Sequence, residues 1–178
     1  YGMETAFFRF YNNEKDKENV IETTTVSIFW SSFIFLFAAM LFRNSLAEWS
    51  DIDSQYVIYT IWILALDALV IVPFSKLRAH QKPMFYAIIK IGNVVVNLSL
   101  SVFFLLYLPE IVQLYPNGYL SSLYVENFQV GYIFIANIIA SLLTFVVLSP
   151  NYIYLNWKFD FGLWKRMMRY GLPIMIAG

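Results

Sequence analysis

The chain has 178 residues, of which 60% are hydrophobic, 20% aromatic and 13% charged, with a mean hydropathy of +0.60. Soluble domains carry roughly 25% charged and about 45–50% apolar residues, so the solvent this composition fits is lipid. A net charge of zero argues against a nucleic acid partner, which needs a basic excess, while a chain without cysteine and with the single histidine His80 has no disulfide, thiolate nucleophile, zinc–cysteine centre or multi-histidine metal site.

In chain order, residues 1–11 are predicted to be the tail of an earlier membrane span. The stretch from Thr23 to Phe42 is uncharged and predicts a span over about 23–46. Further spans are predicted over 54–75, which holds the one charge Asp67, over 83–108, which holds the one charge Lys90, and over 127–150, which holds none. Each reaches the ~20 mainly apolar residues needed to cross a hydrocarbon core of about 30 Å. The stretch NWKFDFGLWKRMMRYG predicts a short amphipathic helix on the membrane surface, with Lys165, Arg166 and Arg169 near phospholipid headgroups. Residues 158–178 are then a linker and the opening of another span, and residues 1–157 the membrane-embedded part. The expected class is all-α, a polytopic transmembrane helix bundle. Neither end has the character of a natural terminus, so the chain is expected to be an internal piece of a longer membrane protein.

Cations orient the spans, because Lys and Arg gather on the cytoplasmic side. Ten of the 12 lie at ends that alternate spans bring to one side: Arg9, Lys15, Lys17, Lys76, Arg78 and Lys82 in the first part of the chain, Lys158, Lys165, Arg166 and Arg169 in the last. The opposite loops, 43–53 and 109–126, hold Arg43 alone. Tyrosine and tryptophan collect at the predicted boundaries, among them Trp49, Tyr107, Tyr115, Tyr119, Tyr152, Tyr154, Trp157 and Trp164, where an amphipathic ring suits the headgroup layer.

The span interiors are not wholly apolar. Lys90, Asn93, Asn97 and Ser101 recur at three, four and four residues and form one stripe on a helix. Asn137, Ser141 and Thr144 do the same on the last full span, and Thr24, Ser27 and Ser31 on the first. Three such faces are expected to meet around a shared interior. Either hydrogen-bonded helix packing or a wet cavity accounts for the Ser and Thr positions, and the asparagines beside Lys90 favour a cavity. Asp67 lies about 12 Å and Lys90 about 10 Å from the basic end, at 1.5 Å per residue. At matched depth they can pair, which offsets a cost of about 2.5–3.5 kcal/mol each on insertion scales. Lys90 can instead reach the interface alone, whereas Asp67 is too short to do so. A carboxylate so placed is expected to face protein or water, and is a functional candidate. No Gly-rich phosphate loop, catalytic carboxylate pair or nucleophile–histidine arrangement is present, so no enzyme and no cofactor is expected.

Three elements, YGMETAFFRFYN, DALVIVPFSKLRAHQKP and LWKRMMRYGLPIMIAG, together resemble the polysaccharide (oligosaccharide) flippase family of the superfamily that also holds multidrug and toxin exporters. The Gly-x-Glu-x-Ala…Arg-Phe element resembles the cytoplasmic end of that family's second span. Pro73 to Ala79 resembles the close of its fourth, and the basic helix leading into Tyr170–Pro173 the opening of its seventh. The resemblance implies part of the N-terminal lobe of a two-lobe transporter, moving undecaprenyl-pyrophosphate-linked oligosaccharide across the bacterial inner membrane by alternating access. Lys90, with Arg9, would meet the diphosphate, and Asn93, Asn97 and Asn137 would line the cavity. Asp67 would carry a coupling proton or sodium ion. The partners implied are the lipid-linked oligosaccharide, membrane lipids and the remaining half of the transporter. A cation-coupled multidrug exporter of the same superfamily, or a membrane-embedded glycan polymerase or ligase, are the alternatives. The loop from Pro109 to Glu126 holds no Lys or Arg, which counts against the last.

Overall fold

A computed structural model describes residues 2–116, 118–153 and 155–177. Tyr1, Tyr154 and Gly178, each part of an expectation above, lie outside the described residues. Those described are helical or irregular, with no strand among them. The order is α1 (Gly2–Asn13), α2 (Lys17–Leu41), α3 (Arg43–Ser50), α4 (Ser54–Ala79), α5 (Pro83–Val102), α6 (Leu108–Leu114), α7 (Gln129–Leu148), α8 (Pro150–Ile153) and α9 (Phe161–Ala177). Four helices, Lys17–Leu41, Ser54–Ala79, Pro83–Leu114 and Gln129–Leu148, are long and apolar enough to cross a membrane. The chain is an all-α helical bundle of multi-pass membrane type.

Local signals set the helix starts. The Asp16 carboxylate accepts from the Asn19 N–H at 3.1 Å and caps α2, and Asp53 accepts from the Gln55 N–H at 2.9 Å and caps α4. Pro83 opens α5, where its missing N–H has no helical partner to lose. The helices differ from the expected spans mainly at their ends. α2 starts at Lys17 rather than Thr23, directly after the Asp16 cap, with Lys17 and Glu18 exposed and Val20, Ile21 and Glu22 buried. It stops at Leu41, and Phe42 separates it from α3. The third span runs on to Leu114 through a π-helical turn at Phe103–Tyr107. The surface helix and the last apolar stretch are one continuous helix, α9.

α4 is the central element and touches α1, α2, α3, α5 and α7. One core cluster joins Ala6, Phe7 and Tyr11 of α1 to Val20 and Ile21 of α2 and to Leu163 and Met167 of α9. A second joins Val70, Phe74 and Leu77 of α4 to Leu148 of α7. α1 and α9 approach so closely at Gly2 and Gly171 that a Cβ on Gly171 would stand 2.8 Å from the Gly2 carbonyl oxygen. Among the described residues α5 packs mainly on α7 and α4, has no fully buried residue and turns Ile88, Ile91, Val95 and Leu98 outward. That outer face is what a helix beside acyl chains requires.

The segment from Leu155 to Asp160 straps α9 to α2. Asn156 donates through its backbone N–H at 3.2 Å and through Nδ2 at 3.1 Å to the Glu22 carboxylate. The Asp160 N–H donates to the Thr23 hydroxyl at 3.2 Å, Asn19 Nδ2 donates to Asp160 Oδ2 at 3.1 Å, and the Trp164 indole N–H donates to the Ser27 hydroxyl at 2.8 Å. Asp160 also accepts from the Leu163 N–H at 3.0 Å, capping α9. That bond, with the one from Asn19, holds the Asp160 carboxyl below its ordinary pKa.

Candidate functional site

Between α4, α5 and α7 lies a cavity of about 650 Å³, with Glu4 of α1 at its wall. It is built where the polar stripe of α5 turns towards that of α7. Asn93 donates through Nδ2 to the Thr144 hydroxyl at 2.9 Å, and Thr144 in turn donates to the Ala140 carbonyl at 2.9 Å. The Ser141 hydroxyl donates to Asp67 Oδ1 at 2.9 Å across the α4–α7 contact. Asn137 also lines the space, as do the apolar Leu64, Ile71 and Phe74.

Asp67 and Lys90 both line this cavity and both are exposed. They do not pair. Asp67 takes the Ser141 hydroxyl, and the Lys90 ammonium lies 5.1 Å from the centre of the Phe74 ring, a cation–π contact. Matched depth on neighbouring helices brought the two into one chamber without setting their side chains against each other.

The remaining candidates divide. Asn93 and Asn137 join Asp67 and Lys90 at the cavity wall. Asn97 does not. It lies a further turn along α5, where its Oδ1 accepts from Ser101 at 3.3 Å. Arg9 does not either. It is exposed on α1, with its guanidinium 4.0 Å above the Tyr170 ring of α9. The α2 stripe also faces elsewhere than expected. Thr24 is buried with its hydroxyl donating to Val20 at 2.7 Å and set against Met167, and Ser27 holds Trp164. Ser31 is exposed with its hydroxyl donating to the Ile28 carbonyl at 3.1 Å, and none of the three lines the cavity.

Two lining residues were not singled out from sequence, Glu4 and Arg78. They form an ion pair, and the Arg78 guanidinium is flanked by the Phe8 ring at 4.9 Å and the Tyr86 ring at 5.2 Å. A signal for them was available, since Glu4 is the acid of the Gly-x-Glu-x-Ala element and Arg78 the base of the Pro-x-x-x-Leu-Arg-Ala element. Two stretches far apart in sequence thus meet at the wall of the cavity. Its walls carry two carboxylates and two cations among amides and hydroxyls, a surface suited to a polar, charged solute inside a membrane bundle. Among the described residues no group of three or more His, Cys, Asp or Glu is placed to hold a metal ion.

No family model, no curated protein and no solved structure matches this chain.

Proposed function

We propose that this bundle is part of the N-terminal lobe of a transporter, and that it moves lipid-linked oligosaccharide, carried on undecaprenyl pyrophosphate, across the bacterial inner membrane by alternating access. The observation that carries the reading is the open cavity between membrane-spanning helices, with Asp67, Lys90 and the Glu4–Arg78 pair exposed to it. An anchor has no use for such a chamber, since each of those groups is costly in lipid and all of them face inward. In this reading Lys90 meets the diphosphate, Asn93 and Asn137 give hydrogen bonds to sugar hydroxyls, and Asp67 carries the coupling proton or sodium ion. The work is binding and conformational change, with no bond made or broken.

Cation-coupled export of small amphiphiles is the second reading. It draws on the apolar Leu64, Ile71 and Phe74 beside Asp67, which together would suit a lipophilic cation. Complementation of surface polysaccharide in a flippase-deficient strain separates the two. Loss with Lys90→Ala and with Asp67→Asn supports the first. Unchanged polysaccharide in both variants removes these assignments, and a change in drug accumulation with polysaccharide intact favours the second.

A further inference from the structure

A second cavity, of about 420 Å³, opens at the end of the bundle where α1 finishes, α2 begins and α4 finishes. Its size lies within the range of about 300–1,000 Å³ found for small-ligand sites. Glu18 and Glu22 stand one turn apart on α2, and Lys76 and His80 one turn apart on α4, so each helix turns a stacked pair towards the cavity. Lys17 adds a second ammonium, 5.2 Å above the Tyr11 ring. The opposed walls do not close on one another. Among the described residues the ion pairs are Arg78–Glu4 and Arg166–Glu14, and neither belongs to this cavity.

Glu22 makes the arrangement specific. It is only 5% exposed, and Oε1 takes both hydrogen bonds from Asn156, while no described residue donates to Oε2. Oε2 keeps some access to the cavity, so it is free to accept from a donor placed there. A simple anion would supply none and would add repulsion. A simple cation would satisfy Glu22 but would face Lys76 and Lys17. Two carboxylates and two ammonium groups sum to zero, so the complementary ligand carries both charges at once.

We propose that this cavity binds a phosphate bearing a primary ammonium, the headgroup chemistry of phosphatidylethanolamine. The ammonium donates to Glu22 and Glu18, and the phosphate oxygens accept from Lys76 and Lys17. Tyr11, Ile21 and Leu155 supply the apolar part of the wall, beside the carbon atoms of the headgroup. The inference rests on the membrane-embedded bundle and is independent of what the larger cavity carries.

His80, the one histidine of the chain, reports on occupancy. Burial, then the ammonium groups of Lys76, Lys82 and Lys17, hold its pKa below the ordinary imidazole value. A phosphate brought to Lys76 reverses part of that. The protein is reconstituted in nanodiscs of phosphatidylethanolamine or of phosphatidylcholine, two neutral surfaces that differ in the N–H donors of the headgroup, and the His80 imidazole is titrated by NMR. The expected midpoint is about one pH unit higher in phosphatidylethanolamine, the low end of what an opposite charge within about 4–6 Å produces. This lipid dependence disappears in Lys76→Gln and in Glu22→Gln, which keeps an acceptor for Asn156. It weakens in Glu18→Gln, an exposed position whose substitution leaves the core untouched. Soluble phosphoethanolamine added to phosphatidylcholine discs identifies the source: a shift there assigns a soluble ligand of the same chemistry, and none assigns the lipid. Equal midpoints in both lipids with no response to phosphoethanolamine overturn the proposal, as does an equal shift produced by inorganic phosphate alone.

Discussion

Pro73 sits inside α4, between Asp67 and Arg78, and has no N–H to give the carbonyl of Leu69 four residues earlier. That carbonyl is met from another element, since the Tyr152 hydroxyl of α8 donates to it. Burial pushes the Tyr152 pKa well above the ordinary phenol value, so the group stays a donor at every working pH. Tyr152→Phe removes the hydroxyl and nothing else, leaving an acceptor unmet in a partly buried setting. The expected loss of stability is about 1–3 kcal/mol, the desolvation cost of an orphaned polar group. In a Pro73→Ala background the helix supplies its own N–H, so the same Tyr152→Phe change should cost much less, with a coupling of about 0.5–3 kcal/mol between the two positions. Reversible unfolding in mixed micelles measures the four corners of this cycle, and an isotope-edited carbonyl stretch at Leu69 shows directly whether the bond is lost. The reasoning fails if Tyr152→Phe costs equally in both backgrounds, to within about 0.3–0.5 kcal/mol. The consequence reaches the cavity, because its lining residues Asp67, on one side of Pro73, and Phe74 and Arg78, on the other, share this helix.

Three further outcomes are expected. Gly171→Val drives a side chain into the Gly2 carbonyl, 2.8 Å from the position of its Cβ, and should destabilise the α1–α9 contact by about 1–3 kcal/mol in a thermal unfolding series, with Gly171→Ala intermediate. The Asp160 carboxyl titrates below its ordinary value, so the stability it lends the strap is present above the unfolded carboxylate pKa of about 3.9 and is lost as pH falls through the lower folded one. Hydrogen exchange at the Leu163 amide should accelerate over that acid range in wild type, and should be fast and independent of pKa-linked change in Asp160→Ala. Reversing one charge of the Glu4–Arg78 pair, as Arg78→Glu, should lower stability by up to about 1 kcal/mol in this part-exposed setting, and the double variant Glu4→Arg/Arg78→Glu should recover most of it.

Hydropathy reports whether lipid surrounds a segment, and for that reason the four spans were legible in the chain while their ends were not. Residues Lys17–Glu22 are too polar for acyl chains, yet they are helical, because the strap around Asn156 and Asp160 takes the place of solvent on that face. The Asp16 cap was a usable signal for this start, one that a search for apolar length passes over. Periodicity has the complementary weakness. The stripes on α2, α5 and α7 each show that a helix has a polar face without saying what the face meets, and α2 turned its stripe to α9 while the other two met each other.

Depth along a helix follows from counting residues, but the direction a side chain takes within a chamber follows from its neighbours. Asp67 and Lys90 stand at similar depth on adjacent helices, and each nevertheless has a nearer partner on its own wall, Ser141 for one and the Phe74 ring for the other. Direct contact between them would leave a neutral pair and a less polar chamber. Separated, they present a carboxylate and an ammonium without an ionic partner to the same space, which the Glu4–Arg78 pair also lines. An opposite-charge pair in direct contact satisfies itself, whereas one held apart needs water or solute between. The same argument applies at the second cavity, where Lys76 and Glu22 line the same space without an ion pair between them. In both cavities the unclosed pair arises from packing that no count along the chain can supply.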